Sequence, residues 1–209
     1  MKMRPVKIYD RSYFDRWYRS SGAPKDEGVL RRQVLLSVAA AESVLNRPLL
    51  SVLDVGCGEG RWQPVLQELR PDATYLGIDP SDYSVERFGE PRNLFRGSLQ
   101  TLSEFAFEVP FDLVVCADVL HYLDKKAVLQ GMEELAQLVG GVALLEVFTD
   151  QDPVEGDRVD FHSRPARWYL QVFQGAGLLP LGLQLYVHGE TAEILDGLDL
   201  PTSHLPPGS

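Results

Sequence analysis

The stretch from Ser51 to Gly60, SVLDVGCGEG, constrains this chain more than any other. Val52, Leu53 and Val55 read as a strand buried on both faces, the pattern of a parallel sheet. Gly56, Gly58 and Gly60 follow at alternate positions, where they permit positive φ and let a ligand approach the main chain with no Cβ in the way. Arg61 to Arg70 reads as the next helix, with Pro64 tolerable only in its first turn, where an N–H has no intrahelical partner. Strand, glycine turn and helix together make a ligand cradle whose exposed N–H groups face the bound molecule.

The glycine spacing narrows the ligand. A dinucleotide fingerprint runs G-x-G-x-x-G, whereas this turn is G-x-G-x-G, so the third glycine comes one residue early and a nicotinamide cofactor is the weaker reading. Asp54 to Gly60 instead resembles the first motif of the class I S-adenosylmethionine-dependent methyltransferases. Tyr75 to Asp79 matches the second motif, a strand ending in a carboxylate placed to accept two hydrogen bonds from a ribose diol. The bland alternative makes Asp79 a helix cap ahead of Pro80 and Ser81. Asn93 to Ser98 gives a third strand. The family commonly has an acid at Ser98 for the adenine amino group, so the departure leaves that edge to the Leu99 backbone or a neighbour.

Phe111 to Asp118 supplies a fourth strand, and Val142 to Phe148 a fifth, after a helix over Lys125 to Leu138 stopped by Gly140 and Gly141. The resemblance covers roughly residues 48 to 195. It implies an α/β fold, a doubly wound, Rossmann-like three-layer sandwich around a seven-stranded, mostly parallel sheet with an antiparallel last strand. It also implies S-adenosylmethionine as cofactor and S-adenosylhomocysteine as product, held by Asp54, Gly56, Cys57, Gly58, Gly60, Asp79, Pro80, Ser98 and Leu99. Main chain around Cys116 and Ala117 would hold the methionine ammonium.

Methyl transfer asks little acid–base work of a protein, because rate comes mainly from alignment and exclusion of water. An oxygen or nitrogen nucleophile would benefit from a base, and His121, just past the fourth strand, is the first candidate catalytic residue. Packing or capping is the competing role. Tyr122, Glu146 and His162 are weaker candidates.

The 209 residues, 44% of them hydrophobic, suit one domain. Residues 1–47 read as an N-terminal helical lid or cap on the same domain, 48–198 as the methyltransferase core, and 199–209 as a Pro-rich disordered tail. A net charge of −10 repels polyphosphate, which disfavours nucleic acid; a small-molecule acceptor is expected, with a protein acceptor as the open alternative. Arg11, Arg16, Arg19, Arg31 and Arg32 gather near the start, read as a solvated helix face ahead of an anion site. There is no membrane-length apolar run and no leader, so a cytoplasmic location is expected. Cys57 and Cys116 read as reduced thiols. His121, His162, His188 and His204 lack ligand spacing, so no metal is expected.

Tyr9, Tyr13, Phe14, Trp17 and Tyr18 fall largely on one helical face, which must dock on something apolar. They make either a packing helix or a lid over the substrate, hinged at Ser20 to Pro24. Leu30 to Leu45 reads as the next helix. Beyond the fifth strand, Thr149 to Asp157 is an acidic loop, Arg164 to Gln174 a helix capped by Ser163, and Leu179 to Val187 with Thr191 to Leu195 a hairpin turning at His188 to Glu190. Two other functions compete with catalysis of methyl transfer: a non-catalytic S-adenosylmethionine-binding regulator or partner subunit, and, more remotely, a nicotinamide-linked oxidoreductase.

Overall fold

The computed structural model describes residues 7–19, 27–153 and 157–195, so the expected hinge at 20–24 and the tail at 199–209 lie outside the described residues. Seven strands form one sheet in the order β3-β2-β1-β4-β5-β7-β6. They are β1 (Ser51–Val55), β2 (Thr74–Asp79), β3 (Leu94–Arg96), β4 (Phe111–Ala117), β5 (Val139–Glu146), β6 (Leu178–Gly182) and β7 (Leu185–His188). The first five pair in parallel, and β7 runs antiparallel to both β5 and β6. The sheet is therefore the doubly wound one expected, with its order reversing between β1 and β4, the point where such folds bind ligands at the carboxyl ends of the strands.

Alternation along the strands feeds two cores. Leu53, Val55, Val114, Cys116 and Ala143 pack under α5 (Lys125–Gln137) and α6 (Ala166–Gly175). Val52, Tyr75, Leu113, Val115 and Val142 pack under α2 (Glu27–Leu45) and α3 (Trp62–Leu69). This is the near-continuous apolar strand pattern that covering on both faces demands. The ends of the helices follow local chemistry. Asn46, at φ 50°, ends α2 in the left-handed region that asparagine tolerates. Ser81 and Asp124 cap α4 (Asp82–Arg92) and α5 by accepting from the amides of Ser84 and Ala127. The sequence reading assigns no helix to α4, whose Gly89 and Pro91 break any apolar periodicity. Helix α1 (Arg11–Tyr18) is short and buries only Phe14 of its residues.

Three boundaries differ from expectation. β5 starts at Val139, and Gly140 and Gly141 lie inside it instead of stopping α5. A Cβ on Gly141 would come within 2.4 Å of the Asp112 carbonyl, so glycine here serves the close approach of β4 and β5. α6 starts at Ala166 with Pro165 as its cap. Ser163 is not the cap, because a residue before proline is pushed out of the helical region and Arg164 stays outside the helix. The last hairpin pairs β6 with β7 and turns at Leu183 and Gln184, whose φ values are 52° and 64°. That two-residue turn, with positive φ at both positions, carries neither Gly nor Asn and so left no sequence signal. Gly189–Ala192 is a short helix, α7, where the second hairpin strand was expected.

Candidate active site

The carboxyl ends of β1, β2 and β4 open into a cavity of about 280 Å³. Its floor is made by the turn after β1. Gly56 and Gly58 have φ of 77° and 56°, and a Cβ on Gly56 would sit 2.2 Å from Val119 Cγ2, so only glycine fits there. The Gly56 amide donates to the Ile78 carbonyl at 2.7 Å, which fastens the turn to β2. The Gly58 amide donates to Asp79 Oδ2 at 2.7 Å and the Ser81 amide to Asp79 Oδ1 at 2.9 Å. One amide on each oxygen leaves further acceptor capacity on both, directed at the cavity that Asp79 lines. Burial raises the Asp79 pKa above the ordinary aspartate value, and its two amide bonds only partly offset that.

Six of the expected cofactor residues line the cavity: Gly56, Gly58, Asp79, Pro80, Ser98 and Leu99. Ser98 and Leu99 start a 3-10 segment, Leu99–Glu104, and Thr101 Oγ1 accepts from the Ser98 amide at 2.9 Å. The other five are elsewhere. Asp54 faces the α2–α3 side, where Tyr75 donates its hydroxyl to Asp54 Oδ2 at 2.7 Å. Cys57 Sγ packs over Gly77, and burial pushes its thiol pKa well up. Gly60 backs onto Leu94. Cys116 belongs to the α5–α6 core and Ala117 to the opposite one, which leaves only their main chain near the cavity.

His121 does not line the cavity. It lies in a short 3-10 turn, Leu120–Tyr122, fully buried, with its ring against Tyr122, Phe148 and Phe161. Its Nδ1 accepts from the Phe148 amide at 3.4 Å, and its carbonyl accepts from the His162 amide at 2.8 Å. Histidine 121 thus joins the segment after β4 to the segments around Phe148 and Phe161, behind the cavity wall. Glu146 accepts from Gln33 Nε2 at 2.9 Å, and neither it nor His162 lines the cavity.

The remaining lining comes from residues that the motif reading gave no role in cofactor binding: Gln100, Asp118, Val119, Tyr122 and Leu123 beside the strand ends, and Tyr9, Tyr13, Phe14 and Tyr18 above. Asp118 could have been suspected from its place at the end of β4. It has φ 60°, and its amide donates to the Glu146 carbonyl at 3.1 Å. The roof is held by side chains. Phe14 stacks on Tyr83 with centroids 5.5 Å apart, Ser81 Oγ donates to the Tyr9 carbonyl at 2.5 Å, and Arg19 pairs with buried Glu59. Desolvation, then nearby carboxylates, raises the pKa of Tyr18, while desolvation followed by Asp157 and Asp118 takes Tyr122 up to about 12. These phenols stay protonated at neutral pH, so they serve as hydrogen-bond donors and aromatic faces and not as bases.

The family described as "Methyltransferase domain" matches residues 53–142. No curated protein sequence matches significantly. Among solved structures, the chain is similar to the sugar N-methyltransferase KedS8 from Streptoalloteichus sp ATCC 53650, at 17% identity and TM-score 0.65, covering 90% of this chain and 98% of that one. It is similar to magnesium protoporphyrin IX methyltransferase ChlM from Synechocystis PCC 6803, crystallised with bound SAH, at 21% identity and TM-score 0.57, covering 81% and 86%. An O-methyltransferase family protein from Burkholderia thailandensis aligns at 19% identity and TM-score 0.53, covering 74% of this chain, which spans 53% of that protein's length.

Proposed function

We propose, for a chain that belongs to the class I S-adenosylmethionine-dependent methyltransferases, that it moves the methyl group to a small organic acceptor held between the β1–β2–β4 strand ends and α1. The observation that carries the reading is the facing pair of Gly58 and Asp79, a positive-φ glycine and a buried carboxylate joined by one hydrogen bond at the floor of the cavity. That geometry fits the cofactor: Asp79 has acceptor capacity left for a ribose diol, and the bare Gly56 and Gly58 main chain leaves room for the methionine end.

When bound, S-adenosylmethionine supplies an activated methyl group on a sulfonium. The protein's own part is to bind, orient and keep out water. Ser98 and Leu99 take the adenine edge, with the Leu99 side chain, 1% exposed, as an apolar wall. Among the described residues, Asp79 and Asp118 are the carboxylates that line the cavity; with Asp79 assigned to the ribose, Asp118 is the residue to receive a proton, and His121 does not line the cavity. α1 is the lid. We place the protein in the cytoplasm, supported by two cysteines that remain free thiols; among the described residues no helix is long and apolar enough to cross a membrane.

The test is equilibrium binding of methyl-labelled S-adenosylmethionine, followed by a screen of small alcohols and amines for release of S-adenosylhomocysteine. Retention by the wild-type chain and turnover with at least one acceptor support the reading. Retention with no turnover against any acceptor would favour the non-catalytic binder.

A further inference from the structure

Tyr9, Tyr13 and Tyr122 line the cavity, and the same three rings surround one ammonium group, that of Lys7. Its Nζ lies 3.6 Å from the Tyr122 ring centroid, 5.1 Å from that of Tyr9 and 5.4 Å from that of Tyr13. Asp157 Oδ2 is 2.7 Å from the same nitrogen, and the Val159 carbonyl accepts from it at 3.4 Å. The Lys7 and Asp157 side chains are only 8% and 9% exposed. Tyr122 adds rigidity by donating its hydroxyl to the Asp157 carbonyl at 3.1 Å. Aromatic faces with a carboxylate at one side form a receptor for an alkylammonium, since the ring quadrupoles attract a cation that is largely stripped of water.

The charge of the cavity points the same way. Its charged lining residues are Asp79 and Asp118, and no Lys, Arg or His lines it among the described residues. Of the five arginines gathered near the start, three pair with acids outside the cavity: Arg19 with Asp15 and Glu59, Arg11 with Asp15, and Arg31 with Glu68. Arg164, close by, donates to the Leu120 and Leu123 carbonyls. A carboxylate or phosphate acceptor would meet the like charges of Asp79 and Asp118 in the lining, with the nearby Lys7 ammonium already paired with Asp157, and a neutral alcohol would gain nothing from the cage.

We propose that the acceptor is an organic amine, that its ammonium is received by the cage of Tyr9, Tyr13, Tyr122 and Asp157, and that Lys7 is a tethered occupant displaced when the amine arrives. The proposal rests on the methyl-transfer reading and narrows it to nitrogen. An ammonium has no lone pair, so the amine must first pass its proton to a carboxylate or to water. The spot favours that loss, because burial holds the Lys7 pKa below its ordinary value despite the opposing pull of Asp157 and Asp160. Lys7 competes from the same chain, and its removal should open the cage to an external cation.

The test is calorimetric titration of the full chain with n-butylammonium, n-butanol and butyrate, in the wild type and in Lys7→Gln, each with and without S-adenosylhomocysteine. Butylammonium is expected to bind Lys7→Gln about tenfold more tightly than the wild type, as a desolvated cation–π site allows. Butanol should bind both equally, and butyrate neither. Adding Asp157→Asn or Tyr122→Leu to Lys7→Gln should remove the gain; the first replaces a carboxylate by its isostere and keeps the site measurable if the second fails to fold. An equal gain for butanol, or no gain for butylammonium, overturns the amine assignment. S-adenosylhomocysteine binding in the same titrations separates the two claims: binding without the amine gain sinks only the cage, whereas the amine gain without cofactor binding sinks the methyl-transfer reading.

Discussion

The floor of the cavity is fixed by main chain, whereas its roof is fixed by side chains. Below, Gly56 and Cys57 donate their amides to the Ile78 carbonyl and Gly58 donates to Asp79, so the cradle is continuous with the hydrogen bonding of the central strands. Above, α1 has eight residues and touches the core through Phe14, with ion pairs at Arg19 and Lys7. A helix that short has no stability of its own and exists only while docked. The difference teaches that the floor should resist local opening as strongly as the sheet does, and that the roof should come and go at low cost, as the proposed lid role requires.

Gly56→Ala is the sharpest way to break the floor. The added methyl meets Val119 at 2.2 Å and the residue must keep φ 77°, so unfolding in denaturant should show a loss of about 3 kcal/mol, from overpacking and left-handed strain together. A loss below about 0.5 kcal/mol would mean the turn yields easily and is no rigid floor.

Asp79→Ala should leave the fold in place but weaken S-adenosylhomocysteine binding by about 1.5–3 kcal/mol, the range for hydrogen bonds to a charged group. The pH dependence follows from the raised Asp79 pKa. With Asp79 on the ribose diol, as proposed, binding would need the ionised carboxylate, so affinity should be full at neutral pH and fall as pH drops through a value above the ordinary aspartate pKa. For folding the sign is opposite: a raised carboxyl pKa favours the folded state below the unfolded value, and that contribution is lost as pH rises through the folded one. Binding that stays flat down to pH 4 would remove Asp79 from the ribose.

Phe14→Ala tests the roof. Global stability should change far less than for a core Phe→Ala, while ligand dissociation should speed up about tenfold and α1 amides should lose exchange protection, as for a locally opening unit. A full core-sized loss of stability would make α1 structural and not a lid.

The smallest effect is expected far from the cavity. Glu42 accepts from Arg70 Nε at 2.5 Å and Nη2 at 2.6 Å, and that hydrogen bonding holds its pKa below the ordinary glutamate value. This contribution is present above the unfolded pKa and is lost as pH falls through the folded one. Arg70→Ala should therefore cost about 0.5–1 kcal/mol at pH 7, less in acid, and leave ligand binding unchanged. Altered ligand binding would show that floor and periphery are coupled.

What the sequence made legible divides along the same line. The glycine turn, the acid at the end of β2 and the apolar runs of the five parallel strands depend on local pattern, so they could be read with boundaries close to those observed. Cys57 and Cys116 illustrate what a motif cannot give: strand alternation turns the Cys116 side chain into the α5–α6 core, while the turn after β1 sends that of Cys57 against the opposite one. His121 lies on the segment the pattern picks out, but the ring contacts that enclose it come from Phe148 and Phe161, distant in the chain. The Lys7 cage joins residues 7, 9, 13, 122 and 157; helical spacing links Tyr9 to Tyr13, but nothing local links them to Tyr122 and Asp157.

The most direct test of the account is thermal unfolding of the full chain with S-adenosylhomocysteine and, in parallel, NADH. A ligand at about 100 times its dissociation constant stabilises by roughly 2.7 kcal/mol, so a clear upward shift with S-adenosylhomocysteine alone is the predicted result. A shift with NADH and none with S-adenosylhomocysteine would contradict the assignment of the Gly56–Asp79 floor.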